Sequence, residues 1–139
     1  MAQRIAWSDR VTLLPVAASV PAARGFVQNL LVDHDLVYLV DDVRLVTSEF
    51  STNALRHAKT SFTVLLEGMS DAIRLTVTHD CVPRPLVAAV PVMATAGRGL
   101  NIVGYYSRDW GVNEGKQNAK SAWASFALKL RDLDQTPVG

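Results

Sequence analysis

The sequence predicts an α+β fold, a two-layer sandwich in which helices cover one face of a mixed, mostly antiparallel sheet. Three observations point there. The elements run in the order β-α-α-β-β-loop-α-β-β. Two pairs of consecutive strands are separated by turns too short for a parallel crossover. Strands and helices do not alternate regularly, which argues against a doubly wound sheet.

Each element has its own local signals. "RVTLLPV" reads as a first strand that ends near Pro15. In "SVPAARGFVQNLLVDH", Ser19 is a candidate N-cap and Pro21 suits the first turn, giving a helix to about Val32 that Gly25 weakens slightly. "LVYLVDDVRLVTSEFSTNALRHA" reads as a long amphipathic helix from about Leu39, with Val43, Val46, Phe50 and Ala54 on one side. "SFTVLLEG" and "DAIRLTVTHD" flank a turn at Gly68 to Asp71 and predict an antiparallel hairpin. Cys81 to Arg98 is proline-rich and reads as a long loop, a kind of segment that is usually functional or mobile. "GLNIVGYYS" predicts a short helix, and "DWGVNEG" with "AKSAWASFALKL" a closing hairpin. Residues 131–139 read as a frayed tail, so a single domain is expected over 1–139 with its core at about 11–128.

The composition suits one such domain: 139 residues, 49% of them hydrophobic, support one substantial core. A formal net charge of +1 and the lack of any Lys/Arg block argue against a nucleic-acid footprint or a polybasic membrane patch. Cys81 is the single cysteine, so no intramolecular disulfide forms. Arg4, Asp9 and Arg10 interrupt the apolar run that a signal peptide or membrane span needs, and the expectation is a soluble protein of the reducing cytoplasm.

Within the long helix, Glu49, Asn53 and His57 recur every four residues and form one stripe bordering the apolar side. One reading is a polar helix edge, with His57 near the C-terminal end where a cation suits the helix dipole. The other is a site: Asn53 offers a carbonyl oxygen to a hard cation such as Mg²⁺, and Glu49, one turn earlier, can act as a general base. Gly97 and Gly99 precede the short helix, where free N–H groups favour phosphate; a flexible loop is the alternative. Neither a Rossmann fingerprint nor a Walker motif is present. Asp80 ends a strand, either as a terminator or as an acceptor for an exocyclic amine, and the Ser121 hydroxyl could share that contact through water. Asp80 alternates with Thr78 and Thr76, so facing the apolar side requires a bulge or an early strand ending. Trp7, Trp110 and Trp123 read as core or sheet-surface residues.

Taken in order, "VTSEFSTNALRHA", the strand-end Asp80, a lid-like loop, "GRGLNIV" and the last strand resemble the GHKL (histidine-kinase-like) ATPase superfamily. Within it the chain is similar to the stand-alone bacterial anti-sigma regulatory factors, which are serine/threonine protein kinases, over about Val11 to Leu128. The resemblance implies the histidine-kinase-like ATPase fold, with ATP held between helices and sheet. It implies Asn53 as the Mg²⁺-binding residue, Glu49 as the candidate base, Asp80 as the adenine reader, Gly97, Arg98, Gly99 and Leu100 on the phosphate side, and Ser121 at a position usually held by Thr. It gives His57 no catalytic role. It also implies a sigma factor and an anti-anti-sigma protein as partners, and a homodimer through the sheet is in keeping with the apolar edge of "SAWASFAL". Two departures stand out: "DCVPRP" lacks both glycines of the family's Asp-x-Gly-x-Gly, and "AKSAW" replaces a Gly-Lys-Thr pattern. Two functions follow as expectations. One is a kinase acting on the anti-anti-sigma partner. The other is a nucleotide-sensing adaptor with little or no turnover.

Overall fold

A computed structural model describes residues 5–81, 102–114 and 119–129. The predicted loop beyond Cys81, the tail at 131–139 and the candidates Gly97, Arg98, Gly99 and Leu100 lie outside the described residues. Strand β1 (Ile5–Leu13) is followed by helix α1 (Ser19–Asp33), a 3-10 turn (Val37–Leu39) and helix α2 (Val40–His57). Then come β2 (Ala58–Met69), β3 (Ala72–Cys81), a helical segment over residues 102–106, β4 (Asp109–Glu114) and β5 (Ala119–Ala127). One five-stranded sheet forms in the order β1-β2-β3-β5-β4. Where the sequence allowed a mixed sheet, every described pairing is antiparallel. The helices pack on one face of it, as a two-layer α+β architecture requires.

Alternation along the strands decides which face is covered. Phe62, Val64 and Leu66 of β2 and Ile73, Leu75 and Val77 of β3 are buried, and the register sets Val64 opposite Val77 and Leu66 opposite Leu75. Ala124 and Phe126 of β5 extend the same layer. Val43, Val46, Phe50 and Ala54 of α2, with Ala23, Val27 and Leu31 of α1, close over it. Fully burying each such Val, Leu or Phe side chain contributes about 1.5–3 kcal/mol. The outer face is polar by the same alternation. There the Thr12 and Thr63 hydroxyls share a hydrogen bond of 3.0 Å, and the Arg74 guanidinium lies 4.5 Å from the centre of the Trp123 ring.

The helix ends follow from local chemistry. Ser19 is the first helical residue rather than the cap, and its nearly buried hydroxyl donates to the Leu14 carbonyl at 2.6 Å. Helix α1 stops because Asp35 adopts φ 60, which lets the Leu36 N–H reach the Leu31 carbonyl and the Asp35 N–H reach that of Val32. This is a Schellman arrangement, completed by the burial of Leu31 and Leu36. Helix α2 carries Asp41 and Asp42 in its first turn and Arg56 and His57 in its last, both favourable to its dipole.

Close approach explains two glycines. A Cβ on Gly68 would lie 2.1 Å from the Trp7 indole nitrogen, because Trp7 lies across it and stacks on His34 with ring centres 3.8 Å apart. A Cβ on Gly111 would lie 2.7 Å from the indole of Trp123. The tryptophans are structural, as expected of core and sheet-surface residues: Trp110 packs against the core and Trp123 covers the outer face of β4. Among the described residues, no helix is long and apolar enough to cross a membrane.

Candidate functional site

Helix α2 passes into β2 without a loop, since His57 is the last helical residue and Ala58 the first of the strand. Ala58 pairs with Cys81, so the C-terminal end of α2 arrives where β3 ends. The stripe of Glu49, Asn53 and His57 therefore runs along the edge of α2 toward that strand end. All three side chains are half-buried, beside the fully covered Val46, Phe50 and Ala54. The stripe borders the apolar side, as the four-residue spacing indicates.

Among the described residues, neither the Glu49 carboxylate nor the Asn53 carboxamide has a hydrogen-bonding or ionic partner. Their neighbours on α2 differ. The Thr47 hydroxyl donates to the Val43 carbonyl at 2.7 Å, and the Ser48 hydroxyl, which donates to Arg44, accepts from Arg24 of α1 at 3.1 Å. Glu49 and Asn53 thus keep their acceptor oxygens available at a partly dehydrated edge. The Asn53 carbonyl oxygen fits a hard cation that takes one protein oxygen and completes its shell with water and phosphate.

Strand parity decides what stands opposite. The pairing of β3 with β5 runs without a shift from Ala72–Ala127 to Asp80–Ala119. The irregularity near this end belongs to β2, between Ala58 and Phe62. Neither the bulge nor the early ending that would re-aim Asp80 occurs in β3. Asp80 is accordingly exposed and shares the outer face with Thr78 and Ser121. Ser121 hydrogen-bonds Thr78 at 2.8 Å. Of the described candidates, then, Glu49 and Asn53 share one side of the sheet, and Asp80 and Ser121 share the other.

The residue that β3 turns toward the helix layer is His79, which sequence reading did not select. It lies on the side of Leu75 and Val77, opposite Phe62 on β2 and Lys120 on β5. Its ring centre is 6.4 Å from that of His57, with the planes 25° apart. Burial pushes the His79 pKa below its usual 6.5; a hydrogen bond with the Asp80 backbone opposes this, and the positive charge of Lys120 adds to it. Lys120 in turn lies 3.8 Å from Glu114 of β4. On the same side Val112 is 52% exposed, so the inner face of β4 is only partly covered. The parity of "LTVTHD" was the available signal for His79: Leu75 and Val77 name the buried side, and two residues further on comes 79.

The arrangement combines an acceptor-bearing helix edge, an imidazole pair at a strand end and a lysine beside it. Compared with known proteins, the chain matches no family model and has no significant match among curated proteins.

Proposed function

We propose that this chain is an ATP-binding anti-sigma regulatory factor with serine/threonine kinase activity toward an anti-anti-sigma partner, and that it also binds a sigma factor. The observation that carries the proposal is a pair of half-buried acceptors, Glu49 and Asn53, one turn apart on the helix edge that borders the sheet and without polar partners among the described residues. The motif resemblance supplies the ligand and the partners. Asn53 would hold Mg²⁺ through its carboxamide oxygen. When bound, ATP and Mg²⁺ supply the transferable phosphoryl group and the compensation of its charge. Glu49 would accept the proton of the partner's serine hydroxyl, a role that needs hydrogen-bond range and a free carboxylate. The phosphate gained by the partner adds roughly −1.5 to −2 units of charge and so changes its affinity for this chain. Gly97, Arg98, Gly99 and Leu100 are assigned to the phosphates by resemblance alone.

Nucleotide titrations with and without Mg²⁺ test this on wild type and Asn53→Ala. Mg²⁺ is expected to tighten binding to wild type and to do little for the variant; equal behaviour of the two removes the metal role of Asn53. Incubation with labelled ATP and a candidate anti-anti-sigma protein is expected to label a partner serine, and Glu49→Gln to abolish that label.

A second reading, a nucleotide-sensing adaptor without turnover, is favoured by the outward direction of Asp80, which leaves no carboxylate from β3 on the α2 side. Nucleotide binding without transfer, unchanged by Glu49→Ala, would establish it.

A further inference from the structure

The strand order leaves β1 and β4 with a neighbour on one side only, and both carry the same device. On β1 the Asp9 carboxylate accepts from the Arg10 N–H at 2.8 Å, and on β4 the Asp109 carboxylate accepts from the Trp110 N–H at 3.0 Å. We propose that these carboxylates close the two sheet edges, and that Asp9 keeps a second copy of this chain from adding its own β1 to this one.

Parity marks Asp9 as the residue out of place. It stands opposite the buried Leu66, on the covered side of the sheet with Trp7, Val11 and Leu13. Those three are half-buried against the core, whereas Asp9 is exposed. An ionised carboxylate gains nothing from that apolar row and would be costly to bury. What it serves is the edge. An amide held by the preceding side chain is not offered to an incoming strand, which needs such donors for its carbonyl oxygens. The carboxylate itself only accepts, so it cannot replace the donor it occupies.

The rest of β1 agrees with this. At one end its ladder is irregular between Ile5 and Trp7, and beyond the other end Pro15 follows Leu13 by two residues. Both features interrupt a flat pairing surface. Asp9 is the fifth of the nine residues of β1, in the stretch that they leave open. Strand β4, with six residues, offers a shorter edge.

Symmetry names the occupant. Two β1 strands paired antiparallel about a two-fold axis perpendicular to the sheet set residues of like parity opposite one another. The row of Trp7, Val11 and Leu13 would then continue from one copy into the other. Among residues 5–13, Asp9 is the only charged residue on that side, because Arg10 lies on the outer face. A strand edge with an apolar row of its own is self-complementary once that charge is gone.

Sedimentation equilibrium of the full chain, without nucleotide, tests this on three variants and is independent of any ligand. Asp9→Val completes the apolar row and frees the Arg10 N–H. It is expected to self-associate about tenfold more tightly than wild type, or more. Asp9→Asn keeps a carbonyl oxygen for that N–H and is expected to stay at the wild-type value. Asp9→Val combined with Arg10→Pro has no N–H to offer at position 10, and it is expected to return to the wild-type value. That double variant separates strand pairing from the stickiness of a misfolded chain. Wild-type behaviour of Asp9→Val overturns the inference. So does an Asp9→Asn variant that associates as tightly as Asp9→Val, and so does a double variant that associates as tightly as the single one.

Discussion

The two ends of the β2–β3 hairpin are built to different rules. At the turn end, contacts are closed. Trp7 covers Gly68 and stacks on His34, Arg108 meets Asp71 at 3.4 Å, and the Leu128 N–H donates to the Asp71 carbonyl at 3.1 Å. At the other end, α2 delivers Glu49 and Asn53 half-buried and without partners among the described residues, and His57 and His79 meet across the helix–sheet boundary. The first end spends its polar groups on the fold. The second leaves two acceptors without polar partners among the described residues, the departure from local consistency on which the proposed site rests.

This contrast can be broken by substitution, and the largest effect is expected in the shared core. Leu66→Ala, at a fully covered position opposite Leu75, should lower unfolding stability by about 2–5 kcal/mol in a denaturant titration. At the closed end, Gly68→Ala must displace the Trp7 indole and should cost about 1–3 kcal/mol, with a loss of the Trp7–His34 stack visible in tryptophan fluorescence.

At the end that α2 reaches, acid should act through His79. Its folded pKa lies below the ordinary 6.5, so the unfolded chain binds the proton more readily. The stability this group contributes is therefore complete above about 6.5 and is lost as pH falls from there through the lowered folded value. Thermal melts across that window should show the decline, and His79→Gln should flatten it.

A smaller effect of opposite sign is expected inside α2. The Ser51 hydroxyl is fully buried without a partner among the described residues, so Ser51→Ala should raise stability by up to about 1 kcal/mol, read as a higher Tm. Least of all should Glu49→Gln and Asn53→Ala matter to stability: within about 0.5 kcal/mol, because neither side chain makes a hydrogen bond or ion pair among the described residues. A loss beyond that would mean that Glu49 and Asn53 serve the fold as the turn end does, and would erase the contrast.

Much of this architecture was legible beforehand where periodicity is strong. The stretches "SFTVLLEG" and "DAIRLTVTHD" around the Gly68–Asp71 turn named the hairpin, the parity of Leu75 and Val77 named the buried side of β3, and the spacing of Val43, Val46, Phe50 and Ala54 named the face of α2. The edge position of Glu49, Asn53 and His57 followed from the same spacing. Capping was less legible: Ser19 looks like an N-cap in isolation, but burial turns its hydroxyl back to Leu14. The strand end was the hardest place. "THD" offers an acidic residue that attracts attention, yet which of His79 and Asp80 faces the helices depends on whether a bulge intervenes, and the bulge lies in the partner strand.

By itself the sequence determined the α+β class, the order of the described elements and the faces that bury, because side-chain periods of 3.6 and 2 are local properties of the chain. Only tertiary structure decided which candidates share a side of the sheet. That choice rests on the unbroken register between β3 and β5, a long-range pairing in which a slip of one residue would exchange Asp80 and His79 between the two faces.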